Sequence, residues 1–311
     1  MKRIAVIGSG LIGRAWSIVF ARAKHRVHLF DNKKSAAEKA INQIEQGLND
    51  LKKYGLIDEN PADVLKRVVV CDTMEQAVSQ ADYVQENTSE SLDVKQKVFG
   101  AMDLCAPNHC VLASSTSTIQ TSLFSEHLEG RHRCLVAHPV NPPHIVPIVE
   151  ISPAPWTDPT VIKKTFDLHK LVGQVPILVK KEIAGFVLNR LQAALLQEAW
   201  RLVDEDYVSV EDLDKTVRDG LGLRWAFMGP FETIDLNAPG GVADYAARFG
   251  SAYAEMMRDL QHPAWEGNLV EKVETQRRNI LPFARHSEKE SWRDRRLMEL
   301  IAHKKDQNSS E

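Results

Sequence analysis

The sequence predicts a doubly wound Rossmann-type α/β domain followed by an all-helical C-terminal domain. Short apolar runs alternate with amphipathic helical stretches through the first part of the chain, which is typical of a parallel sheet covered by helices. A glycine-rich turn joins the first of these runs to the first helical stretch. Beyond about residue 180 no strand pattern returns. We therefore expect one domain over residues 1–182 and a helical domain over residues 183–311.

Eight strands and three prominent helices follow from the periodicity. The helices are predicted over Leu11–Ala23, over Ser35–Tyr54, which is amphipathic, and over Ile183–Val203, which is long and mostly apolar. The predicted strands are Lys2–Ile7, Val27–Phe30, Arg67–Cys71, Ala81–Gln85, Cys110–Ala113, Cys134–Ala137, Ile148–Ile151 and Val175–Val179.

The composition is that of an ordinary globular protein. Of the 311 residues, 43% are hydrophobic and 26% charged, and the formal net charge is −3, which argues against a nucleic-acid or charged-membrane partner. The first residues lead directly into a strand, and no apolar run approaches the roughly 18 residues that span a bilayer. The four cysteines lack metal-ligand spacing. We expect a cytoplasmic protein with reduced thiols and without a metal site.

The glycine-rich turn fits the pattern GxGxxG between a strand and a helix. Its backbone N–H groups and the helix dipole suit a pyrophosphate, and the missing side chains allow close approach. A carboxylate at the end of the second strand would accept hydrogen bonds from a ribose, which favours NAD over NADP. The alternative is a glycine turn without a ligand. The predicted NAD-binding residues here are Gly8, Gly10, Leu11, Ile12, Gly13 and Asp31.

Further motifs resemble those of one known family. They are Ala113–Thr118, His138–Pro143 (HPVNPP), Val149–Glu150, Ala184–Arg190 and Gly229–Glu232. In this order they resemble the 3-hydroxyacyl-CoA dehydrogenase superfamily, and within it most closely the λ-crystallin type, whose enzymatic identity is L-gulonate 3-dehydrogenase. The resemblance implies an NAD-dependent dehydrogenase whose helical C-terminal domain binds substrate and forms a homodimer.

The resemblance also implies a catalytic pair. His138 corresponds to the general base, at the end of an apolar run where a strand terminates. Glu150 corresponds to the glutamate that orients this imidazole, and a carboxylate inside an apolar strand needs such a cationic partner. The alternatives are a histidine that satisfies a backbone group and a glutamate that points into water.

Four further positions are implied by the same resemblance. Asn189 and Ser117 would polarise the reacting C–O bond, and Asn189 shares a predicted helical face with Phe186. Glu90 and Lys95 match cofactor-contacting positions. Ser117 could equally be part of a turn, and the two charges could simply be solvated.

The substrate is predicted from two positions where the residue differs from that of acyl-CoA enzymes in the superfamily, and from two further polar residues. Gly47 and Tyr54 stand where acyl-CoA enzymes carry a serine and a lysine that hold coenzyme A. Arg224, in an apolar and aromatic loop, would bind a free carboxylate unless it pairs with Glu232. Asn141, in the turn after the base, is also predicted to contact substrate.

These positions predict the oxidation of a small hydroxy acid at its 3-hydroxyl, with L-gulonate giving 3-dehydro-L-gulonate. Three alternatives stay open. A short-chain 3-hydroxyacyl-CoA such as 3-hydroxybutyryl-CoA would need another cation for the coenzyme. Carnitine would need an aromatic cage, for which Trp225 and Phe227 are available. A crystallin-like structural or NADH-binding protein would show no turnover.

Overall fold

The computed structural model describes residues 1–259 and 263–308. Within these residues each predicted strand is present, with bounds that lie within two residues of the prediction. The strands are β1 Arg3–Ile7, β2 Arg26–Phe30, β3 Val68–Val70, β4 Tyr83–Glu86, β5 Val111–Ser114, β6 Cys134–Pro139, β7 Ile148–Pro153 and β8 Val175–Leu178.

Helices follow most of the strands. The first part of the chain contains α1 Leu11–Arg22, α2 Lys34–Lys53, α3 Pro61–Leu65, α4 Met74–Val78, α5 Leu92–Cys105, α6 Thr121–Ser125 and α7 Pro159–Leu171. The remainder contains α8 Leu188–Asp204, α9 Val210–Lys215, α10 Gly222–Trp225, α11 Pro230–Leu236, α12 Gly241–Met256, α13 Gly267–Ile280 and α14 His286–Asn308. None of the helices in the described part of the chain has the length and apolar character needed to cross a bilayer.

The strands form one sheet in the order β3-β2-β1-β4-β5-β6-β7-β8. Neighbouring strands are parallel except β6 and β7, which are antiparallel. The chain winds outward in opposite directions from β1 and β4, so a crevice forms beyond the carboxyl ends of these two strands. Apolar clusters lie on both faces of the sheet, which explains why β4 and β5 are buried along their whole length.

The chain divides into two compact units, and this division differs from the predicted one. The first unit comprises Met1–Asn189 together with the C-terminal segment from Ser291, and the second comprises Arg190–Glu290. The C-terminal segment belongs to the first unit because its apolar side packs there, with Met298 only 3% exposed. Periodicity indicates that a segment is helical, but it contains no information about which apolar surface the segment covers.

The predicted helix from Ile183 begins later than expected. Gly185 and Phe186 have φ angles of 73° and 50°, which lie in the left-handed region, and α8 starts only at Leu188. The four residues before Leu188 therefore form a turn. This turn directs the first N–H groups of α8 towards β7, with consequences described below.

Candidate active site

The glycine turn after β1 has the close packing that its sequence pattern requires. A Cβ atom on Gly13 would lie 1.8 Å from the carbonyl oxygen of Gly8, and one on Gly8 would lie 2.7 Å from the carbonyl oxygen of Asn87. Gly10, in contrast, has no protein atom within 4 Å of its Cβ position. Gly8 and Gly13 are thus needed for packing. Gly10 instead leaves open space beside the start of α1, and the N-terminus of a helix is a favourable place for a phosphate group. Leu11 and Ile12 begin that helix and contribute free N–H groups.

Asp31 lies at the end of β2, beside the same turn. Its Oδ2 accepts hydrogen bonds from the backbone N–H and the hydroxyl of Ser9, both at 2.8 Å, and its Oδ1 accepts one from the N–H of Lys33. Burial opposes ionisation, but these hydrogen bonds outweigh it and lower the pKa of Asp31. A cleft of about 430 Å³ extends from Asp31 and the glycine turn to Asn87 and Thr88 at the end of β4. The cleft, the open Gly10 and the ionised Asp31 together fit the adenosine and pyrophosphate of NAD.

Glu90 holds the loop that contains Ser117. Its Oε1 accepts hydrogen bonds from the N–H groups of Ser117 and Thr118 at 2.9 and 3.0 Å and from the hydroxyls of Thr116 and Thr118. Burial opposes ionisation of this carboxyl group, yet the hydrogen bonds lower its pKa. The structure thus shows Glu90 positioning Ser117, which is exposed just beyond β5. A cofactor contact of Glu90 stays a prediction.

Lys95 is buried, which rules out the alternative of a solvated charge. Its side chain is 1% exposed, and its ammonium donates to both carboxylate oxygens of Glu86, at 2.8 and 2.9 Å, and to the carbonyl oxygen of Thr88. All three donors are therefore used inside the domain. Lys95 thereby neutralises Glu86, which would be costly to leave unpaired at the buried end of β4, and its contact with the cofactor stays a prediction.

His138 and Glu150 face each other across the antiparallel strands β6 and β7. The register pairs these two residues directly, and Nδ1 of His138 lies 2.8 Å from Oε2 of Glu150. Glu150 is fully buried and His138 is 5% exposed, which rules out a glutamate that points into water. The contact occupies Nδ1 and leaves Nε2 of the imidazole to exchange a proton.

The other oxygen of Glu150 binds the start of α8. Oε1 accepts hydrogen bonds from the N–H groups of Val187 and Leu188, at 2.9 and 3.0 Å. Burial would raise the pKa of Glu150, but the hydrogen bonds from His138, Leu188 and Val187 outweigh it and hold the pKa below its ordinary value. The turn that displaces the start of α8 therefore keeps this buried carboxylate ionised.

Asn189 contacts the backbone of Ser117 and does not share a helical face with Phe186. Its Nδ2 donates to the carbonyl oxygen of Ser117 at 2.9 Å. Phe186, expected on the same face, lies before the helix, is fully buried, and places its ring centroid 5.4 Å from that of His138. From the sequence, Phe186 is predicted to be an ordinary apolar residue of a helix. In the structure its backbone is left-handed and its ring lies against His138.

The predicted substrate contacts fall in different units. Asn141 follows β6 in the first unit, near His138 in sequence, and it lines a cavity described below. Arg224 lies on α10 in the second unit, and among the described residues no ion pair joins it to Glu232. The alternative that Arg224 pairs with Glu232 is thus not seen among the described residues. The contact of Arg224 with substrate stays a prediction.

Comparison with known proteins agrees with this geometry. Residues 3–183 match the family model for the NAD binding domain of 3-hydroxyacyl-CoA dehydrogenase, and residues 185–286 match its C-terminal domain. This chain belongs to the 3-hydroxyacyl-CoA dehydrogenase family. It is therefore an NAD-dependent oxidoreductase that acts on a CH–OH group, which confirms the predicted fold, cofactor and class of enzyme. The family match ends at residue 286, before most of α14.

Several members of the family are similar over most of this chain. The λ-crystallin homolog of Bos taurus is 40% identical over 96% of this chain and 94% of its own length. An L-carnitine dehydrogenase of Oceanobacillus iheyensis is 34% identical over 88% of each chain. Among solved structures, 5-formyl-3-hydroxy-2-methylpyridine 4-carboxylic acid 5-dehydrogenase, described as an NAD⁺-dependent dismutase, is 27% identical with a TM-score of 0.84 over 97% of this chain and 99% of its own.

Proposed function

We propose that the chain oxidises the 3-hydroxyl of a small hydroxy acid with NAD, and that L-gulonate, giving 3-dehydro-L-gulonate, is its substrate. The observation that carries this proposal is the hydrogen bond between His138 and the buried Glu150, in a sheet whose first strand leads into the NAD-binding turn. Bound NAD supplies the hydride acceptor. Nε2 of His138 takes the proton of the hydroxyl, and the ionised Glu150 stabilises the resulting imidazolium. Ser117 and Asn189 are proposed to bind the reacting oxygen.

A coenzyme A thioester is a less suitable substrate. Gly47 and Tyr54 replace the serine and lysine that the resemblance associates with the coenzyme, and Gly47 lies in the wall of a cavity bordered by α14. A free carboxylate would instead pair with a guanidinium, for which we propose Arg224. The relative with the TM-score of 0.84 carries a carboxylic acid in the name of its substrate, which supports an acid here as well.

Carnitine is a second candidate, because L-carnitine dehydrogenases are among the similar family members. Trp225 and Phe227, both partly exposed in the second unit, could contribute to the aromatic cage that a quaternary ammonium requires. We rank this candidate second, since the cationic cavity described below suits an ammonium poorly.

The test is to compare kcat/KM for L-gulonate, L-3-hydroxybutyrate, L-carnitine and 3-hydroxybutyryl-CoA, followed by NADH formation. We expect L-gulonate to give the highest value. His138→Gln should lower kcat by about 10²- to 10⁴-fold and leave the Kd of NADH unchanged, because the base acts only in the chemical step.

His132→Gln is the matched control, since His132 is exposed just before β6 and should tolerate the change. Unchanged kcat in His138→Gln would remove His138 as the base. A highest value for carnitine or the thioester would reassign the substrate, and turnover of none of the four compounds would contradict the proposal as a whole.

We further propose that the protein is a homodimer that associates through its second unit. That unit exposes many large apolar side chains, including Phe231 and Leu236, which are 76% and 67% exposed.

A further inference from the structure

A cavity of about 330 Å³ in the first unit is not explained by the cofactor site. Its walls are α1, α2, the turn after β6, and the residues of α14 from Ser291 to Met298. This volume is at the lower end of the roughly 300–1,000 Å³ that small-molecule sites occupy, which suits a compound of a few carbon atoms better than a nucleotide.

Two segments of the cavity wall are continuous along the chain with the candidate active site. Leu11, the first residue after the open glycine position, forms part of its wall. Asn141, which also lines it, is three residues beyond His138 and so at most about 10 Å further along the chain. A substrate with its reacting carbon at His138 could therefore extend into this space.

The wall provides both hydrogen-bond donors and hydrogen-bond acceptors. Gln43, Gln46 and Asn141 contribute amides, Asp50 a carboxylate, and Arg14 and Arg295 guanidinium groups. The Phe, Tyr and Trp side chains of the described residues do not line it. The amides donate and accept, the guanidinium groups donate and the carboxylate accepts, so together they match a row of hydroxyl groups, each of which does both.

The charge balance of the wall disfavours a cationic ligand. Arg293 is paired with Asp294, and the guanidinium of Arg14 donates to Gln43, a neutral amide. In the described part of the chain no carboxylate lies within ion-pair distance of Arg14 or Arg295, so two cations face the single carboxylate of Asp50. His144 is held neutral beside them, because burial and the positive charges of Arg22 and Arg14 lower its pKa to about 4.

We propose that this cavity is the subsite for the polyhydroxylated end of the acid substrate, and that Arg295 of α14 determines specificity for it. The inference rests on the proposed function and adds the place where the hydroxyl groups beyond the reacting carbon would be recognised. α14 borders the cavity and lies largely beyond the family match, so Arg295 is a position for which the family match implies no role.

The experiment compares two 3-hydroxy acids that differ in this end. L-gulonate carries hydroxyl groups beyond the reacting carbon, whereas L-3-hydroxybutyrate carries a methyl group. Arg295→Gln should lower kcat/KM for L-gulonate by about 10- to 100-fold, the effect of losing a charged hydrogen bond, and change kcat/KM for L-3-hydroxybutyrate by less than about twofold. The Kd of NADH should stay unchanged.

Arg296→Gln is the matched control. Arg296 occupies the next position of α14, is exposed, pairs with Glu299 and lies outside the cavity wall, so its replacement should affect neither substrate. Equal loss for both acids, or loss for neither, would overturn the subsite while leaving the proposed reaction intact. A wild-type protein that oxidises neither acid would overturn the proposed function itself.

Discussion

At the scale of single residues, burial and hydrogen-bond partners distinguish histidines that the sequence alone does not. The chain contains eleven histidines. His138 could be singled out by its motif, and the burial argument for Glu150 supplied its partner, but the 2.8 Å contact depends on the register of β6 and β7. His169 gave no signal in the sequence, although it is fully buried. Its Nε2 lies 3.0 Å from the hydroxyl of Tyr83, and the ring packs against Trp16.

His169 should make folding sensitive to acid. Burial lowers its pKa from 6.5 to about 3, so below about pH 6.5 the unfolded chain binds a proton that the folded chain does not. The free energy of unfolding should therefore fall as the pH decreases from about 6.5 towards 3, with a contribution that approaches ~1.4 kcal/mol per pH unit. Urea unfolding at several pH values in this window measures the slope.

His169→Gln removes this titration and retains a hydrogen-bond partner for Tyr83. It should reduce the slope of the free energy of unfolding against pH by the amount that corresponds to about one bound proton, whatever its effect on stability near neutral pH. His127→Gln, at an exposed position, should leave the slope unchanged. Equal slopes in the wild type and in His169→Gln would show that another group accounts for the acid sensitivity.

At the scale of elements, the sequence predicts the sheet well and the ends of some helices poorly. All eight strands were predictable because each contains a short run rich in apolar side chains, and most of these runs are separated by helical stretches. The start of α8 was wrong because Ala184–Val187 continues an apolar helical pattern, while two left-handed residues end it. Periodicity reports which side chains are apolar and is insensitive to φ.

The glycine turn allows packing and cofactor binding to be tested separately. Gly13→Ala would place a Cβ atom 1.8 Å from the carbonyl oxygen of Gly8, so the backbone must move. We expect the free energy of unfolding to fall by about 1–3 kcal/mol and NADH binding to weaken as well. Gly10→Ala meets no protein atom within 4 Å, and the φ of −65° suits alanine.

Gly10→Ala should therefore keep the stability within about 0.5 kcal/mol of the wild type or slightly raise it, while the Kd of NADH increases about tenfold or more. Chemical denaturation and fluorescence titration with NADH provide the two measurements. If Gly10→Ala bound NADH normally, the space beside Gly10 would not be where the pyrophosphate lies.

At the scale of the whole molecule, the two units differ in how completely they bury their large apolar side chains. The first unit buries many of them in two clusters, one on each face of its sheet, although single apolar side chains such as Leu104 stay exposed. In the second unit, four large apolar side chains of α11 and α12 are between 44% and 76% exposed. They are Phe231, Leu236, Phe249 and Tyr253. The sequence indicated an apolar helical region, but it could not show that these side chains would be left outside a core.

A second copy of the chain is the partner that we expect on this surface, because an isologous contact buries the same apolar side chains twice. The wild type should then have a mass of about twice 35.0 kDa by light scattering. Combined Phe231→Glu and Leu236→Glu substitutions should shift the mass towards the monomer, since each would bury an unpaired charge. Leu104→Glu, at a position 89% exposed in the first unit, should leave the mass unchanged. A wild-type mass of one chain would contradict the homodimer, and a shift caused equally by Leu104→Glu would place the interface elsewhere.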